Sequence, residues 1–226
     1  MRLLSLLHAD RGRRPSHAGR ILNVSDLNDY SGEFKPDFQF SDLSKEALVK
    51  LVETYQQIFQ GLCVVAVQVA QEQLGKDAGQ RQFNEIYRQV MARFAIPLLR
   101  KTLAIRDDDV ISMFKYFQIA PDGCRGGGMY DFDFEVTNRN DVSYTGKYCQ
   151  NASFYEKHGD SDGLRRLCAA GPGSFEHSAY EAICAAFNPR MKMEWPLLPP
   201  RVSTNAPFCR WRFRIDDEQA TADRAT

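Results

Sequence analysis

Neither sign of charge prevails in this sequence: Lys plus Arg total 29 and Asp plus Glu total 29 over 226 residues. A nucleic-acid partner is normally signalled by a basic excess or stripe, and a solvating tail by an acidic one, so neither class is favoured. Long apolar runs are also missing. The best, GLCVVAVQVA at 61–70, is ten residues flanked by glutamines, against the roughly 20 that a membrane span needs. Six cysteines are too few for a disulfide-built scaffold. No two of them lie two to four residues apart, the spacing of a structural zinc knuckle. The glycine run GCRGGGMY lacks the spacing and the lysine of a phosphate loop and follows a helical pattern instead of a strand. No internal repeat is present.

What remains is patterned. After an arginine-rich start, read as a disordered lead over 1–22, residues 23–43 mix turn formers with Tyr30, Phe34, Phe38 and Phe40. They read as an extended arm whose aromatics dock on the body. Ser44 then caps a long helix carrying Leu48, Leu51, Val52, Tyr55, Ile58, Phe59 and Leu62 at helical spacing. Its middle, from Cys63 to Val69, is apolar nearly all round, the pattern of a buried central helix. A second helix carries Phe83, Ile86, Tyr87, Val90, Met91 and Phe94, with Pro97 expected to kink or divide it. DDDVISMFKYFQIA reads as a third helix opened by an aspartate cap.

The periodicity then changes from helical to alternating. Tyr130, Phe132, Phe134 and Val136 share one face, and Asp131, Asp133 and Glu135 the other. NRND turns the chain into a second strand, from Val142 to Cys149. A loop with a short helix follows, then a helix with Phe175, Ala179, Ile183 and Phe187 on one face, a strand stopped by prolines, and a final alternating strand in CRWRF. Acidic residues of the first strand can pair across the sheet with Arg210, Arg212 and Arg214. This order implies an α+β fold with N-terminal helices on one face of a mainly antiparallel sheet of about four strands. One domain is expected over 44–216, helical over 44–120 and hairpin, helix and strands over 128–216, with a disordered tail at 217–226. The default compartment is the cytoplasm, where thiols are reduced.

Three well-separated thiols invite chemistry. Cys149 ends a strand, Cys168 follows LRR on a short helix, and Cys209 projects with the apolar parity of the last strand. A thiolate is both a nucleophile and a soft metal ligand, and buried thiols are also ordinary filler; the sequence leaves all three readings open. Cys63 and Cys184 read as core, and Cys124 as an exposed, oxidisable thiol. His158 and His177 flank Cys168 in sequence; His177 and its neighbour Glu176 are candidate proton carriers, while His158 reads as a surface residue.

The chain resembles the L-2-amino-thiazoline-4-carboxylic acid hydrolases and their bacterial and archaeal relatives from about Tyr30 to Ile215. The resemblance is carried by YSGEF, DLSKEALVKLVETYQQIFQGL, DDDVISMFKYFQIAP, VTNRND, FNPRMKMEWPLLPPR and CRWRF in that order, with Cys149, Cys168 and Cys209 at the family's cysteine positions. Gln150 stands where relatives have proline, and AAGPG where acidic residues are common. The resemblance implies a small-molecule hydrolase cleaving a C–N or C–S bond of a heterocycle. In it Cys149 attacks or binds metal, Cys168 assists, and His177 or Glu176 moves protons. Arg190 or Arg201 would hold a substrate carboxylate. Should Cys149, Cys168 and Cys209 converge, they would take a divalent transition metal. The alternative is a ligand-binding or metal-binding accessory module with an apolar pocket between helices and sheet. The expected partner is a small-molecule ligand or substrate, with no nucleic acid and no membrane.

Overall fold

The computed structural model describes residues 27–123, 129–169 and 171–216. The expected lead, tail and oxidisable Cys124 lie outside the described residues. The chain divides into two compact units, one ending at Lys50 and the other beginning at Leu51. The division falls inside the first long helix, not at its cap.

In the first unit, a short arm returns on itself. Leu27 N–H donates to the Asp42 carbonyl at 2.9 Å, and Ser44 N–H to the Leu27 carbonyl at 2.9 Å. Tyr30 lies on Phe38, with centroids 4.9 Å apart. Phe34 and Phe40 are 81% and 60% exposed.

Helix α1 (Lys45–Leu74) begins as expected: Ser44 Oγ accepts Ala47 N–H at 3.2 Å. It ends at Gly75, whose φ of 84° suits glycine. Its burial departs from the sequence reading. Within the second unit Tyr55, Ile58, Leu62, Val65 and Val69 are exposed, while Phe59, Cys63 and Val67 pack on the core. The helix is therefore half-embedded. Apolar residues all round did not mean burial all round, because only one side of the helix meets other elements.

Helix α2 (Lys76–Val90) crosses α1 closely: a Cβ on Gly79 would stand 2.4 Å from the Ala70 backbone. The second helix is divided ahead of Pro97, as expected. A π turn, Met91–Ala95, leads directly into α3 (Ile96–Thr102). The missing proline N–H and the crowding of the carbonyl four residues back are absorbed by that wider turn. Helix α4 (Val110–Ile119) is capped by Asp109, whose side chain accepts Ser112 N–H at 2.7 Å.

Strands β1 (Tyr130–Asn138) and β2 (Asp141–Cys149) form the hairpin. Two short helices follow, α5 (Gln150–Lys157) and α6 (Ser161–Cys168), where one was expected. The second cap signal was Asp160, which accepts Gly163 N–H at 2.8 Å. Helix α7 (Phe175–Phe187) leads to β3 (Lys192–Leu197) and β4 (Cys209–Arg214). The antiparallel sheet runs β1-β2-β4-β3. Pro196 lies within β3, an edge strand, where a missing N–H is tolerated and the register slips between Glu194 and Leu197.

The sheet has one apolar and one charged face. Phe132, Tyr144, Trp211 and Phe213 join Phe114, Tyr116, Ile183 and Phe187 of α4 and α7 in the core. On the other face Arg210 pairs with Glu135 at 2.5 Å and Arg214 with Glu194 at 2.9 Å. Arg212 takes Asp141, and Asp133 takes Lys147 at 2.9 Å. Asp131 and Asp133 pair with Lys147 of the neighbouring β2 in place of an arginine, and Glu135 alone of the three reaches across β2 to β4. Among the described residues no helix is long and apolar enough to cross a membrane.

Candidate active-site cavity

Between the inner face of α1, the apolar sheet face and the α5–α7 segment lies a cavity of about 440 Å³, the size of a small-ligand site. Cys149, Cys168, Cys209 and Glu176 all line it. Each arrives by a different local rule. Cys149 closes β2 and is the N-cap of α5, so its Sγ accepts Ala152 N–H at 3.4 Å. Cys168 is the last residue of α6, on its buried side. Cys209 opens β4 opposite Gly146, where an added Cβ would come within 2.8 Å of the Cys209 Sγ. Glu176 is in the first turn of α7, below the Ser174 cap.

The thiols are protonated in this setting. Burial is the first cause in each case, pushing Cys149 and Cys209 up to about 12 and Cys168 well above its ordinary value. Negative charge on Glu176 adds to all three, and Cys149 and Cys209 each oppose ionisation of Cys168. Hydrogen bonds act the other way on two of them, from the Ala152 and Asn151 backbone on Cys149 and from Gly146 and Trp211 on Cys209, favouring the thiolate.

Glu176 is pushed up to about 7, first by burial and then by the like charge of Asp122, with a Tyr180 hydrogen bond opposing both. Asp122 is raised to about 6 by burial. The Tyr87 hydroxyl donates to its Oδ2, whereas its Oδ1 is buried without a hydrogen-bond partner. Tyr180 and Tyr144 share a hydroxyl contact of 2.5 Å. A polar rim is supplied by α1 and α2: Gln71 donates to Gln80 at 3.1 Å and Gln80 to Asn84 at 2.9 Å. Aromatic rings make most of the remaining wall, including Phe132, Tyr144, Tyr180 and Trp211.

Other sequence candidates stand elsewhere. His177 is buried, but its ring meets Trp195 at 5.0 Å and is not part of the cavity wall. Adjacent helical residues do not face the same way, so turning Glu176 inward turns His177 aside. Arg190 is exposed beyond the end of α7. Arg201 binds Glu156 at 2.7 Å and lies 3.8 Å over the Phe208 ring, itself a wall residue. Neither arginine lines the cavity, so neither is placed to hold a carboxylate there. Among the described residues, no group of three or more Cys, His, Asp or Glu side chains is arranged to hold a metal ion. The three thiols share a cavity wall without forming a coordination sphere.

Sequence reasoning missed Asp122, Tyr87, the tyrosine pair and Cys63, which lines the cavity. Asp122 sits in PDG, where its type reads as a turn former. Only the fold brings it opposite Glu176. Comparison of the chain with protein-family models, curated proteins and solved structures finds no match.

Proposed function

We propose that this protein is a small-molecule hydrolase that opens a C–N or C–S bond of a heterocycle inside the cavity, with Cys149 as nucleophile and Glu176 as proton carrier. The observation that carries the reading is the meeting of Cys149, capped by backbone N–H groups, with a carboxyl group titrating near neutrality in one enclosed wall. A group with a pKa near the working pH both takes and returns a proton efficiently.

In this reading Glu176 accepts the Cys149 proton as sulfur bonds to the electrophilic ring carbon. The ring C–N or C–S bond breaks, and Glu176 returns the proton to the departing nitrogen or sulfur. Water then attacks the same carbon and the bond from that carbon to the Cys149 sulfur breaks, the water oxygen leaving with the product and one water proton returning to the sulfur. Cys168 and Cys209 shape the wall, and Tyr144–Tyr180 steadies Glu176. The substrate class comes from the resemblance to thiazoline carboxylate hydrolases.

The test follows loss of 2-amino-thiazoline compounds, with and without the carboxylate, and appearance of their ring-opened products by mass spectrometry, with the full chain and with Cys149→Ser. Expected is a loss of at least 100-fold in kcat, on the order of a removed nucleophile. Undiminished turnover by Cys149→Ser would remove the nucleophile from the account.

A second reading, binding without chemistry, is favoured by one observation: burial holds all three thiols in the protonated form. It predicts ligand binding that is equal in the parent and Cys149→Ser, with no turnover in either.

A further inference from the structure

Charge on the cavity wall is one-sided. Two carboxyl groups, Asp122 and Glu176, face the space, whereas no Lys, Arg or His side chain among the described residues does. Asp122 also keeps an acceptor in reserve. Its Oδ2 is taken by the Tyr87 hydroxyl, but Oδ1 is shut off from solvent with no donor. A buried acceptor left unpaired is unfavourable, and a ligand N–H that reaches it removes the penalty. Around these acids the wall is aromatic: Trp211 and Tyr180 stand 4.7 Å apart and Phe132 and Tyr144 4.8 Å apart. Ring faces carry the negative end of the quadrupole and attract cations. Among the described residues an entering carboxylate would meet like charge and no counter-ion, while a planar cation would meet two acids and several aromatic side chains.

We propose that the cavity selects flat ligands bearing a protonated, N–H-rich carbon–nitrogen group, such as an amidinium, with Asp122 and Glu176 as its anchors, and that it rejects free carboxylates. Asp122 is thereby a binding residue. The proposal rests on the reading of the cavity as a small-molecule site but does not need the hydrolytic step. It departs from the expectation that an arginine holds a substrate carboxylate. It also bears on the thiols: a cation in the cavity opposes the like-charge effect of Glu176 and favours ionisation of Cys149.

The groups facing Glu176 are Asp122, the three thiols and Tyr180; those facing Asp122 are Tyr87, Cys63 and Glu176. Binding of a cation should therefore strengthen as pH rises through about 6 to 7 and the two acids ionise.

Benzamidine and benzoate are near-isosteres of opposite charge, and both fit the volume. Calorimetric titration of the full-length protein at pH 8 is expected to show benzamidine binding and no measurable benzoate binding. Asp122→Asn and Glu176→Gln should each weaken benzamidine binding by about tenfold or more. Equal binding of the two probes, preference for benzoate, binding of neither, or unchanged benzamidine affinity in both variants would overturn the proposal. The parent protein alone decides charge selectivity if either variant fails to fold. Preference for benzoate would leave the hydrolase reading standing, whereas inactive protein that still selects benzamidine would sink only the chemistry.

Discussion

At the scale of the residue, Glu176 does the most. Its candidacy was legible in the sequence as a first-turn carboxylate beside Cys168, and so was the set of three thiols. The charge state of these groups was not legible, since it depends on burial and on Asp122, 54 residues away in the chain. Raised carboxyl pKa values carry a stability consequence. Glu176 rises from 4.5 to about 7 on folding, so between those values the folded state holds a proton that the unfolded state has lost. Stability should therefore fall as pH rises across that window. Asp122, raised from 3.8 to about 6, acts with the same sign lower down. Urea midpoints at pH 5 and pH 8 should differ less in Glu176→Gln than in the parent. A steeper fall in the variant would contradict the burial of this carboxyl.

At the scale of the element, helix α1 separates what periodicity tells from what it does not. Its existence, its Ser44 cap and its Gly75 stop were all readable from the sequence. Which side is buried was not, because an apolar stretch such as 61–70 fits any orientation until its neighbours are known. Gly79 supplies part of that missing information. The α1–α2 crossing leaves no room for a side chain there, with backbone atoms 2.4 Å from a modest added methyl. Gly79→Ala normally favours a helix by about 1 kcal/mol. Here the clash should outweigh that gain and lower stability by roughly 1–3 kcal/mol, measured by urea denaturation. Stabilisation would mean that the crossing is looser than described. The expected histidine and arginines stand away from the cavity wall for an equally physical reason. His177 is one residue from an inward-facing carboxylate, and Arg201 is already engaged by Glu156.

At the scale of the whole molecule, the α+β class followed from changes of periodicity, helical before residue 120, an alternating hairpin after 130, then helix and two more strands. Strand order β1-β2-β4-β3 was beyond the sequence, and with it the pairing of Cys209 with Gly146, three residues before Cys149. That topology brings three scattered thiols and two distant acids onto one cavity wall. Net charge near zero describes the surface as a whole and conceals a site with acids and no facing base among the described residues. Mass-spectrometric mapping after acid quench during turnover of a 2-amino-thiazoline compound tests the central claim most directly. The account predicts a substrate-derived adduct on the Cys149 peptide, absent when Cys149 is replaced by Ser. Turnover with no adduct on Cys149, or an adduct confined to another cysteine, would contradict it.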